Sequence, residues 1–431
     1  MITARAWSGK RYAVLGLARS GLATVEALLA SDAGVVAWDR SEEARAKLSG
    51  SAAELADPLD TDLTGFAGVV VSPGVPINRH PIAAHAHMAG VPLIGDVELF
   101  AQARPELPAH RVVGITGTNG KSTTTALIHH ILVTAGLPAR MGGNIGLPIL
   151  GQDPLPEGGV YVLELSSYQI DLTHRLDCDV AVLTNITPDH LDRYTGFEAY
   201  AAAKARLFAM QSKGHAAVIG IGDEPSANIA RELVRSGRSE DVTKIAPGVC
   251  MDQSRWPSLQ GPHNAQNALA AIATCEALGV DAKAIDKGLE TFPGLPHRME
   301  RIGTHNGVLW VNDSKATNPT STAPALAAFD GIHWILGGQS KTDDLDACRP
   351  AFGHVKRAYT IGDAGPKFAK LLIDEMPVED CGTLADAVAE AARYAKPGEA
   401  VLLSPACASF DQFRDFEDRG DQFRRLVEAL G

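Results

Sequence analysis

The chain is poor in the features that mark secreted, membrane-spanning and nucleic-acid-binding proteins. Its 431 residues hold six cysteines (Cys178, Cys250, Cys275, Cys348, Cys381 and Cys407), scattered, with no C-x-x-C pair. A disulfide framework or a zinc cluster needs closer, paired spacings, so reduced thiols are expected. No run approaches the roughly 18 consecutive apolar residues that a bilayer span requires. A short apolar stretch follows Arg5, Lys10 and Arg11, but Arg19 interrupts it and no clean small-residue cleavage site follows, unlike a secretory leader. Positive charge is also scarce: 39 Lys and Arg stand against 51 Asp and Glu, a net charge of −12. Nonspecific nucleic-acid binding rests on neutralising phosphates, which this balance disfavours, so a polyanionic ligand needs a local site. A cytoplasmic protein without membrane insertion is expected, and the lack of a coiled-coil pattern points to a monomer.

What is present reads as an α/β protein. Hydrophobic residues make up 45% and charged residues 21%, an ordinary globular balance. Short apolar runs alternate with alanine-rich helical stretches, the pattern of parallel sheets. Strands are expected at 11–17, 35–38 and 68–72, then at 111–116, 161–165 and 180–185, and finally at 308–311, 333–337, 357–361 and 400–404. The proline-bearing stretch at 103–110 and the segment TFPGLPH at 291–297 break the chain into three domains. These are a Rossmann-like domain at 1–104, a central P-loop-type ATPase domain with a parallel sheet at 105–296, and a second Rossmann-like domain at 297–431.

The strongest chemical signal is ITGTNGKS at 115–122, between an apolar strand and a helix expected at 123–136. Glycines let backbone N–H groups approach phosphate oxygens, and the helix N-terminus adds partial positive charge. Gly117, Thr118, Asn119, Gly120, Lys121, Ser122 and Thr123 form this loop; Lys121 can reach the β- and γ-phosphates and the Ser122 hydroxyl can ligate magnesium. The strict P-loop pattern would place glycine at 115, where this chain has Ile115. An earlier loop, GLARSG at 16–21, resembles the dinucleotide fingerprint with its middle glycine replaced by Ala18, and Asp39 ends the next strand where a ribose-binding acid would stand. It is weak evidence for a nicotinamide cofactor, and the loop and helix N-terminus would suit a different diphosphate-bearing ligand.

Taken together these motifs resemble the Mur ligases of peptidoglycan synthesis. The likeness runs through GTNGKST (117–123), GGNIGLP (142–148), LELSSYQ (163–169), DHLDRY (189–194), GPHNAQNALAA (261–271), GLPHRME (294–300), NDSKATNP (312–319) and SPACASFDQF (404–413). LELSSYQ and the last motif look like the branch that adds D-glutamate. The resemblance implies ATP-dependent amide formation: the carboxylate of UDP-N-acetylmuramoyl-L-alanine becomes an acyl phosphate, and the amine of D-glutamate displaces phosphate. It implies Mg2+, with Mn2+ as a substitute, held by Ser122 and Glu164, and a second ion contacted by His190 and by Lys204 if that lysine is carbamylated. Lys121, His190 and Lys204 are then the catalytic candidates. ATP falls to the loop with Asn264, Asn267, Arg298, Asp313 and Lys315. The UDP-substrate falls to Ser20, Asp39, Arg40, Ser72, Asn144, Gln169 and His190, and D-glutamate to Thr317, Lys341, Ser409 and Phe416. Taken alone, Lys204 reads as a solvated helix lysine, Asn264 and Asn267 as helix caps, and Arg19 and Arg40 as either diphosphate contacts or solvated charges. Three other readings fit parts of the chain: a Mur-type ligase with another amino-acid, dipeptide or folate acceptor, a nicotinamide-dependent oxidoreductase built on GLARSG, and a nucleotide-binding switch without an acceptor.

Overall fold

The computed structural model describes residues 1–189, 192–246 and 251–431. Within them are three sheets, and the chain divides into two compact units: Met1–Pro247 with Gln266–Gly288, and Gly248–Ala265 with Leu289–Gly431. The α/β expectation holds, with the parallel pairing that alternating strand and helix segments dictate.

The first unit carries two sheets. One consists of β1 (Arg11–Leu15), β2 (Gly34–Trp38), β3 (Glu54–Leu55), β4 (Gly68–Val71) and β5 (Leu93–Ile94), in the order β3-β2-β1-β4-β5 with every pair parallel. The order reverses beside β1, so the crevice beyond the carboxyl ends of β1 and β4 is the ligand-binding end of such a sheet. GLARSG and Ser72 lie there. The following helix starts at Arg19, directly after the tight turn at Gly16 (φ +93).

The second sheet consists of β6 (His110–Thr116), β7 (Ala139–Gly143), β8 (Gly159–Glu164), β9 (Val180–Leu183), β10 (Ala216–Gly220) and β11 (Val242–Ile245). Its order is β11-β10-β9-β6-β8-β7, again parallel, with β6 between β8 and β9. A continuous apolar core joins the two sheets, with Trp7, Phe100, Tyr161 and Phe208 among its buried members; each such side chain contributes roughly 1.5–3 kcal/mol when fully buried.

The second unit is built on β12 (Glu300–His305), β13 (Val308–Asn312), β14 (Ile332–Gly337), β15 (Val355–Ile361), β16 (Val378–Gly382) and β17 (Ala400–Leu403), ordered β12-β13-β17-β14-β15-β16. β12 runs antiparallel to β13 through a tight turn at Asn306 and Gly307, both left-handed (φ +52 and +76). The purely parallel expectation missed this edge strand, none of whose residues is fully buried. Five of the six cysteines lie in described segments, and all five are free thiols. No helix among the described residues is long and apolar enough to cross a membrane.

Arg419 holds this unit's loops together. It is fully buried on the helix Phe416–Glu428, and its guanidinium donates to Ser314 Oγ (2.9 Å), Ser314 O (2.8 Å), Cys407 O (3.1 Å), Gly337 O (3.4 Å) and Ala408 O (3.4 Å). Burial lowers its pKa to about 10, still well above neutrality. An unsatisfied buried polar group costs about 1–3 kcal/mol. Arg419→Met is therefore expected to destabilise this unit by about 3 kcal/mol or more, read as a lower urea midpoint, while the exposed Arg425→Met stays within about 0.5 kcal/mol.

Candidate active site

β6 delivers the chain into the glycine loop at Gly117. That residue has φ +148, and a Cβ there would lie 1.9 Å from Thr184 Oγ1; Gly120 has φ +85 and a Cβ there would strike Asn267 Oδ1. Both positions exclude a side chain. Ile115, where the strict motif has glycine, is a fully buried residue of β6, so the missing glycine costs the turn nothing. The helix Lys121–Thr134 starts at Gly120, placing Lys121, Ser122 and Thr123 in its first turn.

The loop is braced by the segment after β9. Thr118 N–H donates to Asn185 O (2.8 Å), Asn119 N–H to Asn185 Oδ1 (2.9 Å), and the Thr184 hydroxyl to Asn119 O (2.6 Å). The Thr118 hydroxyl meets Thr187 O and Tyr200 OH, both at 3.1 Å. Thr184, Asn185, Thr187 and Tyr200 were not singled out from sequence; the signal was the run T-N-I-T closing an apolar strand next to the glycine loop. Asn267 also reaches the loop, accepting from Thr124 Oγ1 at 3.3 Å.

Two lysines converge on one carbonyl. Lys121 Nζ donates to Gly117 O (3.0 Å) and Thr118 O (2.9 Å), and Lys204 Nζ donates to Gly117 O (2.8 Å). Lys204 is only 1% exposed and lies over the Tyr200 ring at 4.5 Å, so the solvated-helix alternative fails. Burial first, and Lys121 second, hold its pKa well below the usual lysine range, against the opposing pull of Asp189, Asp171 and Glu164. Glu164, at the end of β8, is buried; Oε1 accepts from Asn144 Nδ2 at 3.0 Å, and Oε2 has no hydrogen-bond partner among the described residues. A buried carboxylate oxygen without a partner is what a cation would satisfy. His190 lies outside the described residues.

At the first sheet, Asp39 accepts from Leu17 N (2.7 Å) and Ser41 N (2.9 Å), and Ser72 Oγ donates to Gly16 O (2.8 Å). The carboxylate and hydroxyl thus fix the GLARSG turn from opposite sides. Ser20 is half-buried at the helix start, and Arg19 and Arg40 are exposed. Gln169 is buried and closes a capping box with Ser166.

The second unit's residues form their own cluster. Asp313 follows β13 and accepts from Ser404 Oγ (2.8 Å) and Met299 N (3.2 Å). Burial pushes its carboxyl up to about 7, against those hydrogen bonds and the nearby Arg298 and Arg419. Arg298 sits between two left-handed non-glycine residues, His297 (φ +61) and Met299 (φ +48), backbone positions that are uncommon outside glycine. Asn312 Nδ2 ties this turn to its surroundings through His297 Nδ1, Glu300 Oε2 and Gly420 O, each at 3.1 Å. Lys315 Nζ lies 3.6 Å from the Phe416 ring centre, and Phe416 O accepts from Ser314 Oγ (2.8 Å). Ser409 is buried, Thr317 half-buried and Lys341 exposed on a loop. Asn264 is buried, its amide donating to Gln260 O at 3.1 Å.

Two family models match: the Mur ligase middle domain over residues 115–275, and the Mur ligase glutamate ligase domain over residues 297–407. A UDP-N-acetylmuramoylalanine–D-glutamate ligase of Novosphingobium aromaticivorans is 65% identical, covering 100% of this chain and 97% of that relative. The chain is a Mur ligase. The enzyme of the same name from Sphingopyxis alaskensis is 64% identical with 100% of both chains covered. Among solved structures, MurF from Acinetobacter baumannii shares the fold at a TM-score of 0.60 and 17% identity, over 97% of this chain and 91% of that one.

In this Mur ligase the raised Asp313 pKa has a thermodynamic consequence. Between its ordinary value of 3.8 and about 7 the native state holds a proton that the unfolded chain has released, so this group's contribution to stability is lost as pH rises through that window. The full penalty is at most roughly 4 kcal/mol. Asp313→Asn is expected to match the wild-type urea midpoint near pH 4 and to exceed it at pH 8; equal midpoints at both pH values would refute this.

Proposed function

We propose that the chain is an ATP-dependent ligase that joins D-glutamate to UDP-N-acetylmuramoyl-L-alanine, a step of peptidoglycan precursor synthesis, acting as a cytoplasmic monomer. The observation that carries this is the full-length likeness to D-glutamate ligases, and the glycine loop with its two lysines supplies chemistry of the required kind.

A carboxylate is a poor electrophile, because its oxygen leaves only once phosphorylated. In the proposed reaction the acid's carboxylate oxygen attacks the γ-phosphorus, the bond to the β–γ bridging oxygen breaks, and ADP leaves. The D-glutamate amine then attacks the acyl carbon, loses a proton, and phosphate departs from the tetrahedral intermediate. Little bonding to protein is needed, so positioning and charge stabilisation dominate. Backbone N–H groups at the helix start, residues 120–123, would cradle the phosphates while Thr118 and Asn119 stay braced by Asn185, and Lys121 would leave the Gly117 and Thr118 carbonyls to follow the transferred group. Asn264, Asn267, Arg298, Asp313 and Lys315 complete the proposed ATP set. Ser20, Asp39, Arg40, Ser72, Asn144, Gln169 and His190 take the UDP-linked acid, while Thr317, Lys341, Ser409 and the backbone at Phe416 take D-glutamate.

The unpartnered Glu164 oxygen and the Ser122 hydroxyl fit a hard divalent cation such as Mg2+, which prefers oxygen ligands and would neutralise phosphate charge. Among the described residues no group of three or more His, Cys, Asp and Glu side chains is placed to hold a metal.

Lys204 fits a further role. A protonated ammonium offers no lone pair, and burial favours the neutral amine. Its nitrogen would attack carbon dioxide, forming an N–C bond and releasing a proton to give a carbamate that serves as an oxygen ligand. The test is sustained release of ADP by the purified protein with ATP, Mg2+, the UDP-linked acid and D-glutamate, its absence when the acid is withheld, and at most one equivalent per enzyme when only D-glutamate is withheld. Lys204→Ala is expected to lower turnover by about 100-fold or more, and removal of dissolved carbon dioxide to slow the wild type reversibly. ADP formation at the same pace without acid and amine would overturn the reading.

A further inference from the structure

Within the first unit, the loop after β4 and the turn at Asp192 and Arg193 hold each other by reciprocal hydrogen bonds. From the β4 side, Asn78 Nδ2 and Arg79 NH2 both donate to Asp192 O, at 3.2 and 2.9 Å. From the other side, Arg193 NH2 donates to Pro73 O (3.4 Å) and Gly74 O (3.2 Å). The Arg193 guanidinium also lies over the Tyr168 ring at 4.4 Å, and Tyr168 stacks on Tyr194 with centroids 6.1 Å apart and planes 16° from parallel. Tyr194 in turn donates to Asp171 Oδ2 at 2.8 Å. The strap therefore has a rigid aromatic base. It walls a cavity of about 270 Å³ that Val75, Ile77 and Leu172 also line.

We infer that Arg193 is a positioning residue for the UDP-linked acid, through the strap it forms with Asn78 and Arg79. This rests on the ligase reading above. Pro73 directly follows Ser72, which with Asp39 fixes the GLARSG turn, and Tyr168 directly precedes Gln169. One long ligand that meets both sheets gains from each contact only if their spacing is already set. A fixed spacing makes the second contact intramolecular at a high effective concentration, and a loose one forfeits that advantage. A single guanidinium that bridges two carbonyls and sits over a ring ties all three contacts together. A lysine supplies a point charge without the fork or the plane.

The experiment is steady-state kinetics of the full chain with each substrate varied in turn. Arg193→Ala is expected to raise KM for the UDP-linked acid about tenfold, with KM for ATP and D-glutamate within about twofold and kcat within about threefold. Arg193→Lys is expected to recover little. Arg79→Ala, acting from the other end of the strap, gives the same split, so the inference survives should Arg193→Ala fail to fold. The double variant Arg79→Ala with Arg193→Ala is expected to be no worse than the poorer single one, because both open one strap. Unchanged KM for the acid in both single variants, an equal rise for all three substrates, or strict additivity would each overturn the inference while leaving the ligase reading intact. A wild-type chain with no turnover overturns the ligase reading and this inference with it.

Discussion

The arrangement on which the site depends is the pair of lysine amines, Lys121 and Lys204, donating to the single carbonyl of Gly117. Like charges so close repel, and with Lys204 buried the repulsion is poorly screened. The protein meets this in two ways. Asp189, Asp171 and Glu164 pull in the opposite direction at Lys204, and desolvation favours the neutral amine there. With Lys204 neutral, Lys121 is left as the cation beside the loop, where an anionic phosphate would meet it without a second buried charge.

That loop in turn depends on residues remote from it in sequence. Gly117 and Gly120 cannot carry side chains because Thr184 and Asn267 occupy the space, so the conformation is dictated from outside as much as by the glycines themselves. The hydrogen bonds from Thr184, Asn185 and Thr187 fix the backbone before any ligand arrives. Preorganised N–H groups need no reorientation during phosphoryl transfer, which is where rigid loops gain over solvent.

The sequence made the phosphate loop and the alternation of strands and helices legible because both are local: glycine spacing, a lysine at a helix start, and apolar runs of strand length. What stayed hidden was long-range. Lys204 in YAAAKARLF has the spacing of an ordinary helix residue, and only the fold reveals that its face is buried against Gly117. Asn185 and Thr187 brace the loop across 66 and 69 residues of sequence, a separation that no spacing rule encodes. The antiparallel edge strand β12 escaped because none of its residues is fully buried and a register shift between Arg301 and Gly303 breaks the alternation. The positive φ at His297 and Met299 was likewise invisible, since neither residue type announces it; the turn is held by Asn312, fifteen positions from His297.

An acidic chain with a net charge of −12 whose proposed substrates are a nucleotide, a diphosphate-linked acid and a dicarboxylate has to hold anions against its own field. Mobile surface lysines would be a poor solution, since exposed ion pairs contribute little and are weakened by salt. Backbone N–H groups at helix starts offer a better one: they carry only partial charge, add nothing to the net balance, and are fixed by the fold. Beside the glycine loop the lysine amines are tethered, Lys121 to two carbonyls and Lys204 to one. Overall acidity thus leaves recognition to geometry rather than to bulk attraction, so an anion lacking the right shape finds nothing on this surface that compensates for its repulsion.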